Sequence, residues 1–513
     1  MSIRIILLVL VLTACAQAMN ADTLWVRRFQ APNVTGSAAT DNVVDPQGNI
    51  YVTGHVQSPD LWYGGFLTIK YNTGGDALWT RIYGDTTSVC SGTVGKAIAL
   101  DLSGNVFVAG EMFCNIVDQY FAFGLVKYNP NGDTIWTRQF MGLAQFQSGQ
   151  VTGMITGPDG QPCIVGMATD GIEGEVDIFV VKYTVDGDTA WVRKYNGTAN
   201  GADQANAIAG DSAGNIYIVG TAVDLSQDNN IVTIKYHADG TTAWSRIFNG
   251  ESNLADYGDD IAVDNAGNVY VSGQTRTTGG GAKMLTLKYT STGDLEWAGT
   301  YGTTAGGFDR GRALTVDDNG NVFVTGHKFA VVKYLPNGDT AWTRKPGSEI
   351  VGAAANDIMI DSQGGVIAVG DAAFAGEMGY GYELFVRRFS SDGELSWQRV
   401  HHAVTDTSVG YPDRAEVVAL AASGDIVVSG ITNDFSTLAM TTLRLRPITA
   451  SGDADGNGII TISDAVYIIN YIFSSGPAPQ PPLAADADCN GIITISDAVY
   501  LINYIFSGGP APC

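Results

Sequence analysis

Two short acidic segments near the C-terminus carry the residue types and the spacing that calcium requires. The first begins at Asp453 and the second at Asp486. A calcium loop places oxygen ligands at positions 1, 3, 5, 7, 9 and 12, with glycine at position 6 to turn the chain. Both segments meet this pattern, with Gly458 and Gly491 at position 6. We therefore predict two calcium ions, held by Asp453, Asp455, Asn457, the carbonyl of Ile459, Thr461 and Asp464, and by Asp486, Asp488, Asn490, the carbonyl of Ile492, Thr494 and Asp497.

Each loop leads into an apolar segment that we predict to be a helix, over residues 465–473 and 498–506, and no helix is expected before either loop. A loop followed by a helix, present twice and with Asp rather than Glu at position 12, resembles a type I dockerin. The resemblance covers residues 453–513. It implies a small module that calcium folds and that binds a cohesin on a scaffolding protein or a cell surface.

The resemblance also implies which residues contact the partner. The contact positions are the same in the two halves, so binding in two orientations is expected. The tail has no Lys or Arg, although dockerins often present them on the recognition helix. The alternative is therefore a tail that mainly stabilises or anchors its own chain. The implied contact residues are Ile462, Ser463, Ile469, Asn470 and Ser474, and Ile495, Ser496, Ile502, Asn503 and Ser507.

The rest of the chain is a set of repeats built around recurring tryptophans. The tryptophans lie mostly 53 to 57 residues apart, with one interval of 45. Each repeat also has a strand that closes on glycine and, in most cases, a third strand that ends in Lys-Tyr, such as Lys70-Tyr71. Four short strands in about 50 residues are typical of a β-propeller blade. The eight tryptophans are Trp25, Trp79, Trp136, Trp191, Trp244, Trp297, Trp342 and Trp397.

This repeat resembles the SBBP class of bacterial β-propeller repeats. We predict an all-β, eight-bladed β-propeller over residues 22–447, a short linker at 448–452 and a small α-helical calcium-binding domain at 453–513. The strand that contains Trp25 is expected to close the ring against residues 441–445. A seven-bladed propeller is the alternative, because the repeat after Trp297 has a shortened approach to its third strand.

The repeated Trp, Lys and Tyr are expected to pack between blades, because a residue present in every repeat is most simply structural. The five histidines form no metal-binding motif and no G-x-S-x-G motif occurs. A net charge of −24, without a basic cluster, argues against nucleic acid as a partner. We expect a non-catalytic platform for a carbohydrate or protein ligand. The alternative is a glycoside hydrolase or polysaccharide lyase with its site on the loop-rich face of the propeller.

The N-terminus carries an export signal over residues 1–18. Its apolar run is too short to span a membrane and is followed by an A-x-A cleavage site. The expected location is outside a bacterial cell or on its surface, with no transmembrane segment. Lipidation of Cys15 in a lipobox-like sequence is the alternative.

Five cysteines remain outside this signal. Export permits disulfides, and an odd number leaves one thiol over. Cys489 and Cys513 occur only in the second half of the tail, which suggests that they pair. Cys90 and Cys114 are expected on the same face of one blade and are a second predicted pair. Cys163 is predicted to be a buried free thiol within a strand.

Overall fold

A computed structural model gives the structure of the chain. It describes residues 22–29, 34–58, 61–84, 90–114, 120–142, 146–170, 175–226, 228–250, 252–302, 307–374, 382–401, 413–434, 437–446, 452–455, 460–474, 476–479, 482–488, 492–510 and 512.

The described part of the body is built from antiparallel strands arranged in sets of four. Four sheets have four strands each, and two sheets have eight. In each larger sheet one residue pair joins two four-stranded sets, namely Gly36 with Leu438 and Phe146 with Phe121. The architecture is therefore mostly β and propeller-like, as the sequence predicted.

The strands of the first half alternate with short turns. They are β1(Asp22–Phe29), β2(Gly36–Val44), β3(Ile50–Ser58), β4(Leu61–Tyr71), β5(Ala77–Tyr83), β6(Cys90–Leu100), β7(Val106–Cys114), β8(Tyr120–Tyr128), β9(Thr134–Phe140), β10(Phe146–Thr156), β11(Pro162–Asp170), β12(Val176–Tyr183), β13(Thr189–Tyr195), β14(Gln204–Gly210), β15(Ile216–Val223) and β16(Asn229–Tyr236).

The second half continues this pattern and ends with the elements of the tail. They are β17(Thr242–Phe248), β18(Asp256–Val263), β19(Val269–Arg276), β20(Ala282–Tyr289), β21(Leu295–Tyr301), β22(Gly311–Val316), β23(Val322–Gly326), β24(Val331–Tyr334), β25(Thr340–Arg344), β26(Ile350–Ile360), β27(Val366–Phe374), β28(Glu383–Phe389), β29(Leu395–His401), β30(Arg414–Leu420), β31(Ile426–Asp434), β32(Thr437–Arg446), the helix α1(Ile462–Ser474), a 3-10 turn at Pro482–Ala485 and the helix α2(Ile495–Ser507).

The second and third strands of each set are buried on both faces, because each set packs between its two neighbours. In β15 every residue except Val223 is buried. One core cluster joins Val219 and Ile231 of one set to Val271 and Leu285 of the next. Strands covered on both sides read as near-continuous apolar runs, which explains the aliphatic segments of the repeat.

The recurrent glycine has a steric cause. In each repeat the first strand bulges opposite it, as at Thr40, where the register shifts between Ala39 and Asp41. The bulge directs a backbone carbonyl at the glycine, and a Cβ there would lie 1.9–2.3 Å from that oxygen. The glycine is internal to most second strands, so the expectation that it closes the strand was wrong outside β23. The eight glycines are Gly54, Gly110, Gly166, Gly220, Gly273, Gly326, Gly370 and Gly430.

Seven of the eight repeated tryptophans connect one set of strands to the next. Each indole N–H donates to a carbonyl in the turn between the third and fourth strands of the following set, at 3.0–3.3 Å. The predicted packing role of the tryptophans is therefore confirmed. The sequence reasoning missed a second donor, an arginine two residues after the tryptophan. Six of these arginines donate Nε to the glycine carbonyl of the same turn: Arg27, Arg81, Arg138, Arg193, Arg246 and Arg344.

The eighth tryptophan, Trp397, belongs to the set that precedes the one in which the two ends of the body meet. The strand β1, which contains Trp25, pairs with β32, and Val26 lies opposite Leu443. The predicted pairing with residues 441–445 is therefore confirmed. Because β1 and β32 are distant in sequence, no turn joins them. Trp397 in the preceding set is 1% exposed and its indole N–H has no hydrogen-bond partner.

Buried aspartates connect the first strands of neighbouring sets. Each accepts a hydrogen bond of 2.8 Å from a backbone N–H of the next first strand. Burial raises the pKa of Asp41 and of Asp260 to about 7, and that of Asp357 to about 6. The donors are the backbone N–H groups of Ile98, Leu314 and Val418.

Replacing a recurrent glycine is expected to destabilise the body. In Gly220→Ala the added methyl group would lie 2.0 Å from the carbonyl oxygen of Gln204, which is backbone and cannot rotate away. We expect a loss of about 1–3 kcal/mol or more, measured as a lower Tm. Gly74→Ala is the control, because its nearest contact would be 3.4 Å. Equal Tm values for the two variants would contradict the steric explanation.

The two kinds of tryptophan are expected to respond differently to loss of the indole N–H. Trp79→Phe removes the bond to the carbonyl of Pro130, whereas Trp397→Phe removes a buried donor that has no partner. Both variants lose similar volume. Trp79→Phe should therefore be less stable than Trp397→Phe by about 1–3 kcal/mol. Chemical unfolding followed by fluorescence measures the difference, and a larger loss in Trp397→Phe would refute the assignment.

Candidate metal-binding and docking site

Two groups of three aspartates lie at the starts of the two tail helices. In each group the three carboxylates offer oxygens within 4.8 Å of one another. The first two members precede the helix and the third is the third residue of the helix itself. Four of the six side chains are at most 5% exposed, namely Asp453, Asp464, Asp486 and Asp497. The groups are Asp453, Asp455 and Asp464, and Asp486, Asp488 and Asp497.

The aspartate at position 12 fixes the geometry of the first loop. Asp464 accepts the N–H of Asp455 on Oδ1 at 3.1 Å and the N–H of Thr461 on Oδ2 at 2.8 Å. Each carboxylate oxygen has about two lone pairs, so both oxygens can still accept a cation. This carboxylate therefore joins the start of the loop to the start of the helix and directs its remaining lone pairs at the other two aspartates.

The second loop repeats this arrangement. Asp497 accepts the N–H of Asp488 at 3.2 Å and the N–H of Thr494 at 2.8 Å. Thr494 is the N-cap of α2 and forms a capping box with Asp497. A capping box satisfies two of the N–H groups that a helix start leaves unpaired.

This cap explains a difference from the predicted helix bounds. The helices begin at Ile462 and Ile495, three residues before the expected starts at 465 and 498, because the cap lies inside the loop. The expectation that no helix precedes either loop holds in the described residues before the first loop. It was wrong for the second, which follows the 3-10 turn Pro482–Ala485.

The tail contains no residue that could balance these carboxylates. Residues 453–513 include no Lys, Arg or His. Burial raises the pKa of Asp464, and the nearby charge of Asp455 raises it further, against the backbone hydrogen bonds that lower it. Grouped, buried carboxylates without a cation are costly. Their donor set, all oxygen, fits a hard divalent cation such as calcium.

The other predicted ligands are not all brought into these groups. Asn457, Ile459 and Asn490 lie outside the described residues. The hydroxyls of Thr461 and Thr494 form hydrogen bonds of 2.7 and 2.6 Å with the serine two residues on. The side chain of Ile492 is 65% exposed, and the role of its carbonyl as a ligand stays a prediction.

The two helices pack on each other through one face and expose another. Ala465, Ile468, Ala498 and Leu501 are fully buried in the shared core. The opposite faces carry apolar side chains at spacings of 4, 7 and 11 residues, which places them on one side of a helix. The most exposed are Ile462 at 44%, Val466 at 48% and Phe473 at 68%, and Ile495 at 45%, Val499 at 58%, Ile502 at 37% and Phe506 at 69%.

Most of the expected partner contacts lie on the surface. The serine and asparagine positions are exposed in both helices, whereas Ile469 is half-buried. The sequence reasoning missed four exposed apolar residues that extend the same faces. The spacing from Ile462 and Ile495 would have indicated them. They are Val466, Phe473, Val499 and Phe506.

Of the five cysteines outside the predicted signal, the structure describes the side chain of Cys163. Cys163 is fully buried and free, as predicted, and burial raises the pKa of its thiol to about 12. Cys90 and Cys114 lie directly opposite each other in β6 and β7. Their side chains, and both Cys489 and Cys513, lie outside what the structure describes. The two disulfides therefore remain predictions.

No helix within the described residues is long and apolar enough to cross a membrane. The predicted export signal, residues 1–18, and the alternative lipidation site at Cys15 lie outside the described residues.

Comparison with solved structures indicates the fold of the body. Sqt1 from Chaetomium thermophilum, a propeller-like structure, aligns with a TM-score of 0.53 and 12% identity over 83% of this chain and 99% of its own. BamB from Moraxella catarrhalis aligns with a TM-score of 0.46 and 10% identity, over the same shares of the two chains. The alignment with Sqt1 indicates the fold alone, because the identity is only 12%.

One curated relative is similar over part of the chain. It is an uncharacterized WD repeat-containing protein from Acanthamoeba polyphaga mimivirus, 27% identical over 207 residues. The match spans 32% of this chain but only 14% of that protein.

Two family models match the chain directly. The β-propeller repeat model of the SBBP family matches residues 243–279, and the model of the dockerin type I domain matches residues 451–506. The dockerin match, which begins at residue 451, contains both aspartate groups. The chain therefore combines a propeller-like body that contains an SBBP repeat with a C-terminal dockerin type I domain.

Proposed function

We propose that this protein is an extracellular docking component whose tail binds calcium and a cohesin-like partner, while the body serves as a platform for a carbohydrate or protein ligand. One observation carries the proposal. Two matching aspartate groups lie in a tail without a cationic side chain, within the segment that matches the dockerin model.

Calcium is the cation that the loops suit best. The ligands would be the six predicted positions of each loop, with the position-12 carboxylate already oriented by backbone N–H groups. Calcium accepts six to eight oxygens in flexible geometry, whereas magnesium demands a near-ideal octahedron. A bound calcium ion would neutralise each group and hold the loop against its helix.

The exposed faces of α1 and α2 are the proposed docking surface. Their apolar residues occupy equivalent positions, and their polar neighbours Ser463, Asn470, Ser496 and Asn503 are exposed. Exposed apolar residues with a polar rim mark protein-interaction surfaces. The equivalence supports binding through either helix. Because the tail has no Lys or Arg, a partner that binds this surface would not rely on contacts with basic side chains of the kind that dockerins often present.

We propose that the body over residues 22–447 is a ring of eight blades, joined by residues 448–452 to the tail over 453–513. Two observations support this. The first strands of the four-strand sets contact one another in a closed cycle, from β2 through β6, β10, β14, β18, β22, β26 and β30 back to β2. The strand β1 completes the set of β30, β31 and β32, and Leu445 lies opposite Thr23. Closure removes exposed sheet edges.

The proposed location is the bacterial exterior or cell surface. A docking module of this kind acts where its partner is displayed, outside the cell. Cleavage after residue 18 would release a soluble protein, whereas lipidation of Cys15 would anchor it.

Removing the first aspartate of each loop is expected to remove its ion. Isothermal titration calorimetry should give two calcium ions for the unchanged protein and one for Asp453→Ala or for Asp486→Ala. In the double variant both sites should lose affinity by about tenfold or more, because each has lost a carboxylate ligand, and no binding should remain in the range where the unchanged protein saturates. Asp318→Ala, an exposed aspartate of the body, is the control. Unchanged binding by the double variant would show that the loops do not hold calcium.

The two helix faces are expected to substitute for each other in docking. Val466→Asp and Val499→Asp each place a charge on one exposed face. Each single variant should lose no more than about half of its binding to immobilised type I cohesin modules in calcium, since one face remains. The double variant should lose binding almost completely, because a desolvated charge is costly.

The matched control is Leu102→Asp, which changes an exposed apolar residue of the body that is 96% exposed. It should bind like the unchanged protein. If the double variant binds every cohesin that the unchanged protein binds, and with equal affinity, the helix faces are not the docking surface.

A further inference from the structure

A pocket of about 410 Å³ opens in the body between three consecutive strand sets. Its volume lies within the range of about 300–1,000 Å³ typical of small-molecule sites. It is lined from β22, from the turn between β23 and β24, from β26 and β27, from the residue before β28, and from the start of β30. The lining side chains are Arg312, His327, Lys328, Asp371, Tyr382 and Arg414.

The pocket exists because one connection is shortened. The strand β23 ends at Gly326 and β24 begins at Val331, so only four residues join them. The short turn is tied to the neighbouring set, since the N–H of Lys328 donates to the carbonyl of Ala353 at 2.9 Å. A β-bridge also joins His327 to Ala354. The missing loop leaves a gap in the rim, and the turn forms one wall.

The backbone of this turn is strained. Lys328 and Phe329 have φ values of 60° and 50°, in the left-handed region that non-glycine residues rarely adopt. Phe329 is fully buried and packs edge-on against Phe385, with ring centroids 4.9 Å apart. Burial of this ring offsets the strain and holds Lys328 at the pocket. Strain of this kind is often found at ligand sites.

Basic side chains are concentrated in the lining of the pocket. Only 28 of 513 residues are Lys or Arg, yet three of the nine lining residues are. Their present partners leave capacity for a ligand. Arg312 donates one Nη1 bond to Asn356, and a guanidinium has five N–H donors. Arg414 pairs with Glu416 and Lys328 with Asp309, and their side chains remain 43% and 51% exposed.

The same pocket offers groups that recognise hydroxyls and a ring. Asp371 is 9% exposed and lines the pocket together with Arg312 and Arg414, whose charges both act on its carboxylate. His327 uses Nδ1 against the carbonyl of Phe308 at 2.9 Å, which leaves Nε2 for the pocket. Tyr382 is 37% exposed at the edge, where its ring can stack on a ligand.

We propose that this pocket binds an acidic sugar of a glycan chain, with the anionic group on Arg312, Arg414 and Lys328 and the sugar hydroxyls on Asp371 and His327. The inference rests on the proposed role of the body as a ligand platform and gives that role a site and a ligand class. The anion is a carboxylate or a sulfate, since both match guanidinium donors.

An acidic peptide fits this arrangement less well. Its carboxylates would satisfy the basic residues, as the anionic group of a sugar would, but they supply no hydrogen-bond donor for Asp371. A sugar supplies hydroxyl donors for Asp371 from the same ring that carries its anionic group. The exposed ring of Tyr382 also matches the flat face of a sugar better than an extended peptide backbone.

The test is a glycan array probed with the full chain in calcium, with carboxylated, sulfated and neutral glycans and a set of acidic peptides as separate arms. We expect binding to one or both acidic glycan arms, with neutral glycans at least about tenfold weaker. Calorimetry with the best acidic glycan should then show losses of about tenfold for Arg312→Gln, Arg414→Gln and Tyr382→Ala. Carboxylated and sulfated arms identify the anion.

Lys96→Gln is the matched control. Lys96 occupies the bulge of β6 that corresponds to Arg312 in β22, but lies outside the pocket. It should bind like the unchanged protein, and Tm values confirm that each variant is folded. Tyr382→Ala keeps the test decisive if Arg312→Gln unfolds.

Several outcomes would overturn the proposal. They are binding only to neutral glycans, binding only to acidic peptides, or acidic-glycan binding that no folded pocket variant weakens. In the last case the ligand platform stands and the site is elsewhere. Absence of any glycan binding overturns both the site and a carbohydrate role of the body. The calcium and cohesin measurements on the tail are independent of all these results.

Discussion

The hydrogen bond from a tryptophan indole to a turn carbonyl of the next strand set organises the whole body. A set of four antiparallel strands has two apolar faces and cannot bury either alone. The indole N–H of Trp244, for example, reaches the carbonyl of Ser291, and Arg246 reaches that of Gly293. These two directional bonds fix the angle between neighbouring sets, and the aliphatic side chains of the two sets pack against each other at that angle. A periodic, two-sided contact of this kind is what lets repeated units stack.

The interaction also explains where the body is least regular. The set that contains β1 and β32 has no turn between these strands, so Trp397 and Arg399 lack the carbonyls that their counterparts use. The indole N–H of Trp397 and Nε of Arg399 are buried without a hydrogen-bond partner. Pairing of β1 with β32 compensates through a backbone ladder that runs from Asp22 to Phe29 with one bulge at Leu24. The two ends of the body thus pair with each other, and the neighbouring Trp397 and Arg399 lose the hydrogen bonds that their counterparts form.

The sequence predicted the structure correctly where a residue makes the same contact in every repeat. The spacing of the tryptophans and the Lys-Tyr strand ends predicted the strand sets, and the loop pattern predicted which tail aspartates meet. It failed where position depends on tertiary context. The arginine two residues after most of the repeated tryptophans looks like an ordinary surface residue until the next turn is in place. The tail helices start early because Thr494 caps from inside its loop, and the pocket depends on how four residues fold against a neighbouring set.

The two candidate sites use repetition in opposite ways. In the tail the copies agree, so α1 and α2 present equivalent faces and a partner can use either one. In the body a single departure creates the pocket, because a shortened turn removes one rim loop and places Lys328 beside Arg312. Symmetric repeats alone give every blade the same surface and discriminate poorly among ligands. A site that distinguishes one ligand from others is therefore expected at the set with the shortened turn between β23 and β24. Attachment to a partner benefits instead from two equivalent helix faces.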